Sequence, residues 1–434
     1  MHDVGECLYT YILRHFLSKE DLMKKITLLL IAFVEIAVMA QTEAQVGHIS
    51  DFISLDTIIP FRNEKTGTYT DLTYSKWGDE VVFTNFSSRN NNDTIILYRI
   101  NSLDASADTF RLYEKDLCKT MQSHYERNLS ALIYSPERIL IMYADKISVF
   151  NKLDERSYKK ETAYRFNEDF RELRLLNDSI VAGVSFYYSA LETFTLFLFN
   201  INNGRIVKKI LPKYASTSIL LSFFQPSNIM DVRNGMIALT ERGKYIVRFY
   251  DEMLTCVDSI VYRDGTWTTF SPRIVDRVMT LDKYHAADII DILHTEYDSV
   301  DNIQHLFFID SNKIAVSHAY KTSQGVSIQP KLDIWTRMPT GWTLIEKNLF
   351  DDGFLIQDSV FRRNRIPIGL GSGNKICFMA NGKIVVLSKR GNGVDNPVGM
   401  AMKDYGRMVN DYLLDNDSYV QCLIFTHTFN TGSK

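Results

Sequence analysis

The run from Asn234 to Val261, NGMIALTERGKYIVRFYDEMLTCVDSIV, constrains the fold more than any other stretch. It reads as strand, tight turn, strand, turn, strand. Asn-Gly set between apolar runs is a strong hairpin signal, because both turn positions favour residues that tolerate positive φ. The same phrase returns at Asn381–Gly391 as NGKIVVLSKRG. A recurring sheet unit buries its faces only by stacking on further copies of itself.

The unit appears six times. Each copy has an apolar strand a, a short turn rich in Asn, Asp or Gly, a strongly apolar strand b, a variable loop, a strand c and an outer strand d. The b strands begin near Val81, Ile139, Ile180, Met236, Lys313 and Lys383. Their spacing runs from 41 residues (139 to 180) to 77 (236 to 313), so the internal grammar is regular and the connections are not. That combination predicts an all-β protein, a β-propeller of six blades with four antiparallel strands each, or seven blades if the longest gap hides one. A sandwich also has many short strands but lacks a repeated four-strand unit. The b runs, such as EVVFTNF (80–86) and IVAGVSF (180–186), are apolar at nearly every position, as strands covered on both faces must be.

Closing such a ring needs a fourth strand in every blade, and the sixth copy has no evident strand d. An unpartnered apolar run, FISLDTIIP (52–60), precedes the first copy. The two gaps match, so the N-terminal run is expected to complete the last blade and abolish the open edge. Two segments break the grammar. Within Arg263–Asn302, roughly Lys283–Leu293 reads as a short helix. Near the C-terminus, Asp404–Leu414 places Tyr405, Met408, Val409, Tyr412 and Leu413 on one helical face, which predicts a capping helix, followed by a strand at Tyr419–Phe425.

Before the repeats, Met23-Lys24-Lys25 leads into the apolar run Ile26–Val34 and ends in the small residues of Ala37–Ala40. A basic start, a short apolar core and a small-residue end predict a signal peptide over 23–40, although Glu35 is an awkward charge within it. The apolar run is too short to span a bilayer, which takes about 20 residues. Residues 1–22 then read as an extension from a start placed too early, and 41–434 as a single propeller domain. Gln41 stands where a lipid-anchor cysteine would be required. The expected location is therefore periplasmic or extracellular, with no stable membrane insertion after cleavage.

Lys and Arg number 49 against 52 Asp and Glu, a net charge of −3, so no long-range field draws in nucleic acid. Phe 26 and Tyr 23 against nine prolines fit a β-rich chain with a substantial core. Past residue 40 the cysteines are Cys118, Cys256, Cys377 and Cys422, far apart and without a CxxC. They are expected to be buried free thiols, with a Cys377–Cys422 pair the one disulfide open to an oxidising compartment.

A leader peptide followed by six loose blades with Asn-Gly turns at Asn234-Gly235 and Asn381-Gly382 resembles the TolB-like six-bladed propellers of secreted Gram-negative proteins. The resemblance covers most of 41–434 and is one of architecture. It implies an extracytoplasmic protein that acts through binding, and it carries over no catalytic residue.

No motif for chemistry meets its required context. His285, His294, His305 and His318 are dense, but they show no HExxH or His-x-His pattern, and ordinary surface or core histidines account for them. Gly369–Gly373 (GLGSG) precedes a strand, where a phosphate loop must precede a helix. No GxSxG is present, and no pair of carboxylates is singled out by spacing. No catalytic residue, metal ligand or cofactor is assigned.

The b–c loops are the better place to look, since they share one face with the d–a connections around the channel. These loops are read as Ser87–Asp93, Tyr187–Glu192 and His318–Pro330. They carry Arg89, Tyr187, Tyr188, His318, Tyr320 and Lys321, a mixed aromatic and polar set suited to a protein, peptide or glycan ligand. The expected function is noncatalytic binding by an exported propeller. The alternative is a propeller hydrolase or lyase acting on polysaccharide.

Overall fold

The computed structural model describes residues 49–62, 72–85, 94–113, 129–143, 146–166, 169–186, 194–212, 229–241, 243–262, 267–280, 292, 300–321, 328–350, 354–356, 364–366, 375–390 and 419–429. The chain divides after Gly47, and everything described belongs to the unit His48–Lys434.

Strand β1 (Ile53–Arg62) comes first. Blade one is β2 (Leu72–Trp77), β3 (Glu80–Asn85), β4 (Thr94–Asn101) and β5 (Ala107–Tyr113). Blade two is β6 (Leu129–Ser135), β7 (Arg138–Tyr143), β8 (Lys146–Asp154) and β9 (Ser157–Arg165). Blade three is β10 (Asp169–Leu175), β11 (Ile180–Phe186), β12 (Phe194–Asn200) and β13 (Arg205–Ile210). Blade four is β14 (Met230–Arg233), β15 (Met236–Glu241), β16 (Ile246–Tyr250) and β17 (Cys256–Val261), followed by the helix α1 (Pro272–Thr280). Blade five is β18 (Asn302–Phe308), β19 (Lys313–Lys321), β20 (Ile328–Met338) and β21 (Gly341–Phe350). A small hairpin, β22 (Phe354–Ile356) and β23 (Asn364–Ile366), precedes blade six, which holds β24 (Lys375–Phe378), β25 (Lys383–Arg390) and β26 (Tyr419–His427).

Blade six takes its outermost strand from the other end of the chain. Its order is β24-β26 neighbours through β25, with β1 antiparallel on β26 from Ile53↔His427 to Arg62↔Tyr419. The ring is thus closed by hydrogen bonds, as the N-terminal run predicts. A second junction was not legible. Strand β5 pairs in parallel with β9, Arg111 opposite Ser157, so blades one and two form one eight-stranded sheet.

Six apolar clusters fill the six seams between successive blades. Val82, Leu97 and Phe110 meet Leu132, Tyr134 and Ile139 between blades one and two. Val81, Phe83 and Ile100 meet Cys377, Val385 and Cys422 between six and one. The remaining four seams follow the same plan. Alternation along a b strand sends neighbours to opposite seams: Val82 faces blade two, while Val81 and Phe83 face blade six. This explains why b strands read as unbroken apolar runs.

The Asn-Gly turn of blade four has Asn234 at φ 50° and Gly235 at φ 74°, the left-handed pair a two-residue hairpin needs. Asn234 Nδ2 also donates to Ser311 Oγ on blade five at 2.6 Å. In blade six, Asn381 Nδ2 reaches Asp79 Oδ1 at 2.8 Å and Ser102 Oγ at 2.9 Å on blade one. The turn asparagines therefore fasten one blade to the next.

Some expectations are corrected, the buried free thiols at Cys377 and Cys422 agree with expectation, and others fall outside the described residues. Strand β9 (SYKKETAYR) went unread because an outermost strand carries no apolar run. The insertion after blade four contains α1 at Pro272–Thr280, upstream of the helix expected at 283–293. That expected helix, apart from residue 292, and the capping helix expected at 404–414 lie outside the described residues. Cys377 and Cys422 are free and buried. Their strands flank β25, and two inter-strand spacings, roughly 9–10 Å, exceed the reach of a disulfide. Cys256 is exposed on the outer strand β17, and Cys118 lies outside the described residues.

Candidate functional site

The a strands line the centre of the ring and, contrary to the expectation of apolar strands, carry charged residues there. Lys76 of blade one crosses to Asp231 of blade four, the opposite blade, at 3.2 Å, and its Nζ lies 3.4 Å from the Phe378 carbonyl of blade six. Asp231 Oδ2 also accepts from the Phe308 amide of blade five at 2.8 Å, and Oδ1 accepts from the Val232 amide at 2.9 Å. Glu172 of blade three accepts from the Ile229 and Met230 amides of blade four at 3.1 and 3.2 Å, and from Arg174 Nη2 at 2.6 Å. Tyr74 donates its hydroxyl to the Ile376 carbonyl at 2.8 Å, and the Arg174 guanidinium stands 5.9 Å over the Tyr74 ring. Ser75 Oγ accepts from the Tyr134 amide at 3.0 Å.

These bonds satisfy inner-strand amides that have no further strand to pair with, which is why acids recur there. Burial pushes the Glu172 carboxyl up to about 7, against the opposing pull of Arg174 and the two amides. Burial also raises the Tyr74 phenol and lifts the Cys377 thiol to about 12. Burial works against the Arg174 guanidinium, but Glu172 beside it holds its pKa above the ordinary value. Between the strands lies a cavity of about 70 Å³ lined by Tyr74, Ser75, Lys76, Arg174 and Asp231 together with Ile133, Leu173 and Phe307. It has room for a few atoms beyond hydrogen.

A second polar cluster sits in the seam between blades four and five. His318 Nε2 lies 3.2 Å from Asp333 Oδ2, Tyr245 donates to the same oxygen at 2.8 Å, and Trp335 Nε1 donates to Tyr245 at 3.0 Å. All four side chains are buried. Burial, with the Asp333 charge second, raises the Tyr245 phenol well above its ordinary value.

Of the residues singled out in the sequence, His318 is in β19 and not in a loop. Pairing with β20 continues from His318↔Lys331 to Lys321↔Ile328, so the b–c connection of blade five shrinks to 322–327. The His318 ring is buried in the seam and does not reach the surface. Tyr320 and Lys321 end the same strand. Arg89, Tyr187 and Tyr188 lie outside the described residues. The inner-strand charges were missed, although alternate polar residues in DLTYSKW and ELRL were a signal that one side of each strand is not apolar core. Among the described residues no group of three His, Cys, Asp or Glu could hold a metal ion.

The two faces of the ring differ. The a–b and c–d connections are at most five residues long, the longest being 102–106 and 251–255. The long connections, 63–71, 86–93, 114–128, 187–193, 211–229, 262–301, 351–374 and 391–418, all join b to c or d to a. Those strand ends share one face.

No protein-family model matches the chain, and no curated protein does. Similar solved structures include a Bacteroides fragilis protein believed to be exported, 10% identical, covering 87% of this chain and 96% of that one at a TM-score of 0.48. A member of the DUF4221 family from Bacteroides vulgatus is 9% identical, covering 87% of this chain and 99% of that one at 0.45. Likeness at this level says nothing of activity or family. The propeller rests on the chain's own strand order and its six filled seams. Among the described residues no helix is long and apolar enough to cross a membrane.

Proposed function

We propose that the protein is an exported, noncatalytic propeller of the TolB-like kind that recognises a protein, peptide or glycan on the face built by its b–c and d–a connections. The observation that carries this reading is the inequality of the two faces. One is trimmed to short turns, while the other receives every long connection in the ring. Long connections on a compact scaffold are where binding residues concentrate, because the scaffold fixes their ends and leaves their sequence free. In the sequence Arg89, Tyr187 and Tyr188 fall within the b–c connections 86–93 and 187–193, and Tyr320 and Lys321 end β19 just before the b–c connection 322–327. Export is supported by the basic, apolar, small-residue succession of 23–40.

The test is a thermal-shift screen of the purified protein against glycan and peptide libraries, with metal content and hydrolysis measured on the same samples. The expected outcome is a saturable rise in melting temperature with one ligand class, reduced by Tyr187→Ala or Tyr188→Ala. Turnover of a polysaccharide would overturn the noncatalytic reading in favour of a hydrolase or lyase. Retention of residues 23–40 in protein recovered from the producing cell would overturn export by cleavage.

A further inference from the structure

We propose that the joint closing the ring is an acid-sensitive latch: a proton taken up by His427 releases the first residues of β1 from the end of β26. The latch lies at the short-turn end of the ring, since the His427 amide donates to the Gly382 carbonyl in the a–b turn of blade six at 3.1 Å. It is separate from the loop-rich face and does not depend on the function proposed for that face.

At this end the joint is held by a stack of rings as well as by backbone. Ile53 pairs with His427, and the Thr428 amide and hydroxyl both donate to the Phe52 carbonyl, at 2.8 and 3.1 Å. The Phe52 ring lies 5.4 Å from Phe429, and Phe429 lies 5.3 Å from the His427 imidazole. His427 in turn lies 5.9 Å from Phe378 of β24. Phe52 is therefore docked through Phe429, and Phe429 through His427.

The imidazole is poorly placed to carry a charge. It is 5% exposed, and neither ring nitrogen has a hydrogen-bond partner among the described residues. In the imidazolium both nitrogens are donors, and two unmet donors on a buried charged ring are costly. The charged groups around it do not make up the difference. They are one carboxylate, Asp310, and two cations, Lys313 and Arg233. Asp310 accepts from the Asn312 amide at 2.7 Å. Lys313 donates to the Phe429 carbonyl at 3.0 Å, and Arg233 donates to the Phe308 and Ile309 carbonyls. Lys383 of blade six and Asp56 of β1 pair at 2.9 Å beside Thr426, whose side chain points to the other face of β26. Contact of a cation with the Phe429 and Phe378 rings recovers part of the cost. Burial outweighs it and lowers the His427 pKa to about 4. A protonated His427 therefore gains by turning to water. That turn displaces Phe429, and Phe52 loses the ring on which it is stacked.

Hydrogen exchange of the full purified protein is followed by mass spectrometry at pH 8 and pH 5, each peptide being corrected for its intrinsic exchange rate. At pH 5 a freed histidine, titrating near 6.5, takes up a proton that the buried one refuses, which raises the opening equilibrium roughly thirtyfold. Exchange in peptides over 49–55 and 425–429 is expected to rise by about that factor, while peptides over β7 and β11 show no rise. In His427→Phe, which keeps an aromatic ring in the stack and has no proton to take up, the rise should vanish. If that variant does not fold, His427→Gln serves in its place. No rise at pH 5 in the wild type, a rise shared equally by all six blades, or a rise that persists in the variant overturns the proposal.

Discussion

Among the described side chains, Asp231 is one that ties three blades together. It joins blade four to blade five through the Phe308 amide and to blade one through Lys76. Asp231→Ala takes one acceptor from the half-buried Lys76 ammonium and leaves the Phe308 and Val232 amides without theirs, so a loss of about 2–3 kcal/mol is expected by urea denaturation. Gly183, in the b strand of blade three, has a different reason to be fixed. A Cβ there would lie 2.1 Å from the Phe197 ring and 2.6 Å from Leu173, both fully or nearly buried. Gly183→Ala should therefore cost about 1–3 kcal/mol through overpacking, seen as a lower melting temperature. Glu172 gives a pH signature. Its folded carboxyl titrates at about 7, above its ordinary value of 4.5, so the folded state holds the proton more tightly than the unfolded chain. Its contribution to stability is fully present below pH 4.5 and is lost as pH rises through about 7. Glu172→Gln should remove that slope from a plot of urea midpoint against pH. None of these three positions stood out in the sequence. Asp231 and Glu172 read as stray polar residues in short a strands, because their partners are amides 57 to 77 positions away.

At the scale of the blade, much was legible. The b strands begin at Glu80, Arg138, Ile180, Met236, Lys313 and Lys383, within a residue of where the apolar runs place them. They could be read because burial on both faces forces an unbroken apolar run, and because Asn-Gly turns mark the start of the run. An outer strand turns one face to solvent even where, as in β9, it has a neighbour on each side, so β9 carries Lys159, Lys160 and Glu161 and no apolar run. The cross-blade pairing of β5 with β9 had no sequence signal at all, since backbone groups make it. Blade six adds a titration that opposes Glu172. His427 ends β26, packed between the Phe378 and Phe429 rings, and burial lowers its pKa to about 4; Asp310, Lys313 and Arg233 are the charged groups around it. The unfolded chain takes up this proton near pH 6.5, so stability present above that pH is lost as pH falls towards 4, by roughly 3 kcal/mol at most. His427→Phe should abolish the loss, and its midpoint should then rise on acidification under the remaining influence of Glu172.

For the whole molecule, closure is the decisive property. Six seams and two hydrogen-bonded junctions, β1 on β26 and β5 on β9, make a ring in which every blade is packed on both sides, so a single cooperative unfolding transition is expected by calorimetry. Removing residues 1–62 takes away β1 and exposes the edge of β26. That variant should lose the cooperative transition, and a synthetic peptide spanning 53–62 should restore it. The order of synthesis gives the closing joint a further meaning. Strand β1 is among the first parts of the ring to be made, and its partner β26 is finished at His427, near the end. At 5–20 residues per second, β1 waits roughly 20–70 seconds for the strand that covers it. Through that interval a sticky, β-prone segment has no proper neighbour, and every nascent chain nearby offers a wrong one. The joint that covers β26 in the finished ring is absent while the ring is being made, so aggregation is expected to fall on the waiting first strand rather than on the last.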